Sequence, residues 1–326
     1  MMTIGIDVSK AKIDCLWLRD VVTGKVKAKI FENTAKGHSE LLQWAIKNCR
    51  MELEEIHFIM EATGIYHEAL AHALYEAGAN VSVVNPAQIS SYGKIFGVRS
   101  KTDKKDSLVI ARFGATQQPL FWQPEPSEIR TLKALISRYE AVSQDIQRES
   151  NRLEKATISS VSNEIIISIE TMLAQLKAEK KRLEDLINKH IEQHPNLKQD
   201  RALLESIPGV GPIVSRLMIS VIRSRTFTAA PQCAAFLGVV PVQYESGSSV
   251  RGKSRLSKAG SASIRAKLYM AAVVATRHNP DIKQQYERLL KNGKSKMSAL
   301  GAAMRKLVQI CFGVLKHQNP YQSRVS

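Results

Sequence analysis

A chain of 326 residues is too long for one small domain, at roughly one domain per ~150 residues, and long enough for sizeable cores. Apolar residues at 44% and charged ones at 24% exclude a disordered or fibrous chain, and four scattered cysteines (Cys15, Cys49, Cys233, Cys311) without a CxxC pair exclude a disulfide scaffold or a structural zinc site. The net charge of +17 is concentrated: residues 1–120 balance at +2, residues 121–200 at −1 and residues 201–326 at +16, with four acids in that last segment, the footprint of a surface that neutralises phosphates.

From the N-terminus, Ile4, Ile6 and Val8 alternate with Gly5, Asp7 and Ser9, the period of a strand. Further strands are expected at Ile13–Leu18 and Val26–Phe31, then a helix through Leu41, Leu42, Ala45 and Ile46. A strand at Ile56–Met60 ends in Glu61-Ala62-Thr63-Gly64, a helix covers Tyr66–Ala77, and a strand at Val81–Val84 meets a stop at Asn85-Pro86. Three hairpin-like strands followed by two that alternate with helices is the order of an α/β ribonuclease-H-like (RuvC-like) sheet, assigned to residues 1–122. No apolar run approaches ~18 residues, and MMTIGIDVSK reaches an aspartate too early for a signal peptide, so no membrane partner is expected and a cytoplasmic location is.

Pro119, Pro124 and Pro126 mark a boundary. Beyond it Ile129, Leu132, Ile136, Tyr139, Ser143, Ile146, Ser150 and Leu153 step alternately by three and four residues. After a polar break at Thr157–Asn163 the rhythm returns at Ile166, Ile169, Leu173, Leu176, Lys180, Leu183, Ile187 and His190. Two heptad runs joined by a turn predict an antiparallel coiled-coil hairpin over 123–198, suited to spacing domains and pairing protomers. Residues 199–326 read as mainly α-helical, with further helices near 261–276 and 297–315. Ser206-Ile207-Pro208-Gly209-Val210-Gly211-Pro212 between apolar helices has the form of a helix-hairpin-helix element, in which Gly209 and Gly211 either bring backbone N–H groups to a phosphate or merely permit a tight turn. Cys233 and Cys311 sit in apolar stretches and are expected in the core; His67 and His72 are expected at surface or core rather than on a metal.

Four carboxylates stand out by position. Asp7 lies mid-strand on the face opposite Ile4, Ile6 and Val8, and Glu61 ends the fourth strand, which in a ribonuclease-H-like sheet neighbours the first. Asp103 and Asp106 in Lys101-Thr102-Asp103-Lys104-Lys105-Asp106 share one helix face. Four converging carboxylates repel unless divalent cations lie among them, and two Mg²⁺ (or Mn²⁺) ions held ~3.5–4 Å apart can stabilise both oxygens of a phosphodiester exchange. The polar stretch Tyr244–Gly260 holds Ser246, Ser248, Ser249, Arg251, Lys253, Arg255 and Lys258 among glycines, which on chemistry alone is either a phosphate-binding loop or the seat of a nucleophilic serine.

The ordered set Ile4-Gly5-Ile6-Asp7, Met60-Glu61-Ala62-Thr63-Gly64, Val83-Val84-Asn85-Pro86, the Asp103/Asp106 segment, Ser206–Gly211, Tyr244–Gly252 and Ser257-Lys258-Ala259-Gly260 resembles the bridge-RNA-guided insertion-sequence transposases, which carry an N-terminal DEDD RuvC-like domain and a C-terminal serine-bearing transposase domain. That resemblance implies a prokaryotic, nucleoid-associated DNA recombinase. Asp7, Glu61, Asp103 and Asp106 would hold the metal and Ser246 would be the nucleophile of a covalent phosphoserine intermediate. A structured guide (bridge) RNA would choose double-stranded donor and target DNA, and a homodimer or synaptic tetramer would act on them. The competing expectations are a metal-dependent Holliday-junction-type endonuclease in which Ser246 only binds phosphate, and a non-catalytic architectural DNA or RNA binder.

Overall fold

Three consecutive strands, β1 (Met2–Val8), β2 (Lys12–Leu18) and β3 (Val26–Glu32), pair antiparallel. Helix α1 (Ala35–Cys49) then carries the chain to β4 (Ile56–Glu61), parallel to β1, and α2 (Glu68–Glu76) carries it to β5 (Asn80–Val84), parallel to β4. The sheet order is β3-β2-β1-β4-β5, which puts the fourth strand beside the first as the sequence order implied. Ile4, Ile6, Val8, Phe58 and Met60 face Leu41, Trp44, Leu70 and Leu74 of α1 and α2. On the other face Ile59 and Val84 meet Ile89 of α3 (Pro86–Ile95) and Ile110 and Phe113 of α4 (Asp103–Gln117). Central strands covered on both sides explain the nearly continuous apolar run of β4. This computed structural model describes all residues except 21–22, 63, 96–102, 160, 244, 247–249, 253 and 324–326; at 103, 104, 245, 246, 250 and 251 it describes the backbone.

Two compact units divide at Pro124/Glu125. The second opens with α5 (Ser127–Ile158) and α6 (Asn163–Gln193), an antiparallel helical hairpin: His190 Nε2 donates to the Glu128 carbonyl at 2.8 Å, and Lys180 lies 5.3 Å from the Tyr139 ring. The strict alternation of three and four predicted Ser143 on the seam, whereas the fully buried residue there is its neighbour Val142. A helix turning 3.6 residues drifts against a 3.5-residue repeat, so over several turns the inward stripe moves to a neighbouring position. Ser143 instead returns its hydroxyl to the Tyr139 carbonyl at 2.8 Å.

The hairpin base is continuous with the helical body. Ile129, Leu132, Ile136, Ile187 and Ile191 share one core with buried residues of α7 (Pro195–Glu205), α8 (Pro212–Ile222), α9 (Ala230–Phe236), α10 (Ala262–His278), α11 (Pro280–Lys291) and α12 (Lys296–His317). Cys233 and Cys311 lie in that core, where burial pushes the Cys233 thiol up to about 12 and the Cys311 thiol higher still. Among the described residues α12 alone is long and apolar enough to cross a membrane, and half of its apolar window is buried in this core.

One ion pair with a buried carboxylate and a partly exposed guanidinium braces the second unit. Asp200, 1% exposed, accepts from Arg223 Nε and Nη2 at 2.6 and 2.7 Å and from Gln318 Nε2 at 3.0 Å, tying α7, α8 and the end of α12 together. Arg223→Leu leaves that carboxylate buried with a single neutral donor, but the Arg223 side chain is 40% exposed and solvent screens the pair, so urea denaturation is expected to show a loss of about 1–3 kcal/mol. Wild-type stability in this variant would make the pair incidental.

Candidate catalytic and nucleic-acid-binding sites

The β1–β4 ladder runs in register from Met2↔Ile56 to Ile6↔Met60, so Asp7 and Glu61 are the next residues on adjacent parallel strands and share a face. On the other side of β1, Asp7 is opposite Asp14 of β2. Asp14, Asp7 and Glu61 thus form one row across three neighbouring strands. Like charges placed directly opposite destabilise a ladder, and Lys12 pairs with Asp14 at 3.1 Å.

Helix α4 lies across this face, antiparallel to β1. A Cβ on Gly114 would strike Ile59 and crowd Thr3, and one on Gly5 would strike the backbone of Ser107 and Ala111, so both glycines are demanded by close approach. Ser107 Oγ donates to the Asp14 carbonyl at 2.9 Å and pins the first turn of α4 to β2 beside Asp7. Asp106 directly precedes Ser107 and is half-buried, as are Asp7 and Glu61. Asp103 begins the helix, and its side chain lies outside the described atoms. Among the described residues no three His, Cys, Asp or Glu side chains form a metal-holding group. The backbone gathers the strand ends and the helix start of the expected cluster, and carboxylate oxygens are hard donors of the type that Mg²⁺ and Mn²⁺ take.

Asp14 escaped the sequence reading. The signal was there: a short turn at Ser9–Ala11 in a two-stranded hairpin forces the residue four beyond Lys10 opposite Asp7. His72 packs edge-on against Trp122, with ring centroids 5.1 Å apart, in keeping with a packing role.

In the second unit the stretch expected as a loop is a nested β-ribbon. β6 (Pro241–Val242) pairs with β9 (Arg255–Leu256), and inside it β7 (Glu245–Ser246) pairs with β8 (Val250–Arg251). Ser246, opposite Val250, is the last paired residue of β7. Ser248, Ser249 and Lys253 lie outside the described residues, and Arg251 is placed by its backbone alone. Arg255 and Lys258 are exposed near the ribbon base. Lys258 takes a positive φ of 55° and its N–H donates to the Gly238 carbonyl at 3.2 Å, which turns the chain out of the ribbon.

The two glycines between α7 and α8 separate by role. Gly209 has φ +99°, and a Cβ there would lie 2.8 Å from the Ala275 methyl of α10, so it serves packing. Gly211 is exposed, with open space around it, at the N-cap of α8. Gly209→Ala is expected to cost about 1–3 kcal/mol from strain and overpacking, read by thermal denaturation. Gly211→Ala should leave the melting temperature within a few degrees, and equal losses in the two variants would refute the division.

Two family models match this chain. The IS110-type DEDD model, described as Transposase, covers residues 4–157, and the model described as Transposase IS116/IS110/IS902 family covers residues 201–287. The pilin gene-inverting proteins of Moraxella bovis and Moraxella lacunata are each 31% identical over 326 residues, spanning 99% of this chain and 98% of their own length. An uncharacterized 43.6 kDa protein of insertion element IS110 from Streptomyces coelicolor is 25% identical over 162 residues, 49% of this chain and 39% of its own length.

Proposed function

The chain belongs to the IS110 family of transposases, and on that premise we propose that it is a DNA recombinase that cuts and rejoins DNA through a covalent phosphoserine intermediate. The observation that carries the metal-dependent part of this reading is the adjacency of Asp7 and Glu61 on neighbouring parallel strands, with the start of α4 pinned beside them, and the serine step follows the family resemblance. The mixed order β3-β2-β1-β4-β5 supports a ribonuclease-H-like domain. Asp7, Glu61, Asp103 and Asp106 would hold two Mg²⁺ or Mn²⁺ ions, and such ions, when bound, neutralise charge developing on the phosphate.

Ser246 Oγ is the proposed nucleophile. Its backbone place at the end of the two-residue β7–β8 ladder is compatible with that role, and Arg251, Arg255, Lys253 and Lys258 would supply cations for flanking phosphates. Gly211 and the start of α8 offer a further phosphate contact. The carboxylates and Ser246 are on different units. The +16 segment suits donor DNA, target DNA and a structured guide RNA alike, and selection of sites by that RNA follows the family resemblance. Exposed Ile158, Ile165, Ile167 and Met172 near the hairpin tip support pairing of protomers into a dimer or a synaptic tetramer. The relatives named for pilin gene inversion make inversion of a DNA segment a reaction of the proposed class. The place of action would be the nucleoid of a prokaryotic cell.

A denaturing gel tests the reading. The protein, with the nucleic acid that copurifies with it and Mg²⁺, is incubated with end-labelled duplex carrying the ends of its element. A DNA–protein adduct that survives boiling supports the recombinase. Freely migrating cut strands instead mean a junction endonuclease in which Ser246 only holds phosphate. Binding without any cleavage means an architectural protein.

A further inference from the structure

The β1–β4 ladder stops at Ile6↔Met60, one residue short of the carboxylates, yet a cross-link lies beyond it. The Asn33 side-chain amide donates to the Ser9 carbonyl at 2.9 Å and to the Tyr66 carbonyl at 3.0 Å, and its backbone N–H donates to the Ala11 carbonyl at 3.0 Å. Ser9 follows Asp7 by two residues, and Tyr66 follows Glu61 by five. One side chain therefore binds the segment leaving each carboxylate-bearing strand.

The network also determines how Asn33 is held. Both amide protons are committed to carbonyls, so Oδ1 is left to accept, and His38 Nε2 donates to it at 2.8 Å. His38 is 6% exposed in the first turn of α1, and burial lowers its pKa, which keeps the ring neutral with the proton on Nε2. That turn is itself fixed. Thr34 caps it by accepting from Gly37 N–H at 3.2 Å, and a Cβ on Gly37 would collide with the Glu32 carbonyl at the end of β3. The chain of support runs from β3 through α1 and His38 to Asn33, and from Asn33 to both strand ends.

We propose that Asn33, oriented by His38, is the positioning residue of the carboxylate site, setting the spacing of Asp7 and Glu61 by tying together the segments that follow them. This rests on the metal reading above. Neither residue touches the metal or the DNA; each acts through the backbone of other segments, as outer-shell partners of metal ligands do, where a lost partner typically weakens metal affinity ~10–100-fold.

The test uses the full-length chain and Mn²⁺ alone as probe, with binding followed by calorimetry or by the spin-resonance signal of free Mn²⁺. Asn33→Asp is nearly isosteric but turns an oxygen toward the Ser9 and Tyr66 carbonyls, and Mn²⁺ affinity should fall at least tenfold while the melting temperature shifts by only a few degrees. His38→Gln keeps an N–H toward Asn33 and should bind Mn²⁺ within about threefold of wild type. His38→Phe removes that donor and should resemble Asn33→Asp, so the His38 pair decides the matter if Asn33→Asp does not fold. Wild-type affinity in Asn33→Asp, or equal affinities in the two His38 variants, overturns the positioning role. Wild-type protein that binds Mn²⁺ no better than Asp7→Asn overturns the metal reading itself, and this role with it.

Discussion

Ser246→Ala is expected to abolish the boiling-resistant DNA adduct and to lower recombination by at least about 10³-fold, which at 1.36 kcal/mol per decade is roughly 4 kcal/mol of transition-state stabilisation. The proposed step exchanges one bond for another at phosphorus: the serine oxygen replaces a deoxyribose oxygen, and its proton leaves to base or solvent. Rejoining reverses the exchange without an external energy source. A neighbouring hydroxyl cannot take over, because attack requires a reacting atom in line within ~3–3.5 Å. The ribbon itself should tolerate the change. Ser246 is held by its backbone opposite Val250, and removing one oxygen from such a position alters stability by less than about 1 kcal/mol. DNA and RNA binding should persist, and Ser248→Ala and Ser249→Ala should lower rate or affinity but retain the adduct. If Ser249→Ala alone removes the adduct, the nucleophile has been assigned to the wrong residue. If all three variants still cleave, the junction endonuclease takes the place of the recombinase.

The sheet was legible where a physical pattern extends over many residues. Alternation in Ile4–Val8 and the apolar run Ile56–Met60 announce β1 and β4, and their adjacency follows from the strand order. The long helices of the hairpin were equally legible, while their seam drifted by one residue at Val142 for want of an allowance for helical pitch. Proline was read for the ends it marks and not for the helices it opens. Asn85-Pro86 does end β5 at Val84, and Pro86 also opens α3, with the Ala87 N–H donating to Asn85 Oδ1 at 2.9 Å. His194-Pro195 likewise closes α6 and opens α7, and Asn279-Pro280 starts an α11 that periodicity had not revealed. Proline at the first helical position gives up an N–H that has no partner there, so Asn-Pro announces a helix start as readily as an end. The ribbon around Ser246 escaped for another reason. Its strands are two residues long, too short for alternation to register. At the carboxylates, residue types pointed to Asp7, Glu61 and Asp106. Asp14 and Asn33 matter through register and through hydrogen bonds reaching 24 and 33 residues along the chain, which no local pattern encodes.

Asp106→Asn is expected to reduce strand cleavage by at least about 10²-fold, with folding and RNA association nearly intact. The substitution keeps the shape and removes a hard anionic donor, so metal affinity suffers first. The loss of a negative charge in the first turn of α4 weakens its favourable interaction with the helix N-terminus by about 0.3–1 kcal/mol, which leaves the fold standing. The helix also keeps its seat, because that depends on Gly5, Gly114 and the Ser107–Asp14 hydrogen bond rather than on Asp106. Asp14→Asn is the informative companion. Asp14 faces Asp7 in the same row but is paired with Lys12 at 3.1 Å, a charge already neutralised, so its loss should lower cleavage by less than about tenfold. Cleavage assays of the two variants across a Mn²⁺ titration separate the possibilities. Recovery of Asp106→Asn at high Mn²⁺ marks it as a ligand weakened in affinity. If Asp14→Asn abolishes cleavage while Asp106→Asn retains it, the ions are held by the sheet row Asp14–Asp7–Glu61, and α4 serves only to cover that face.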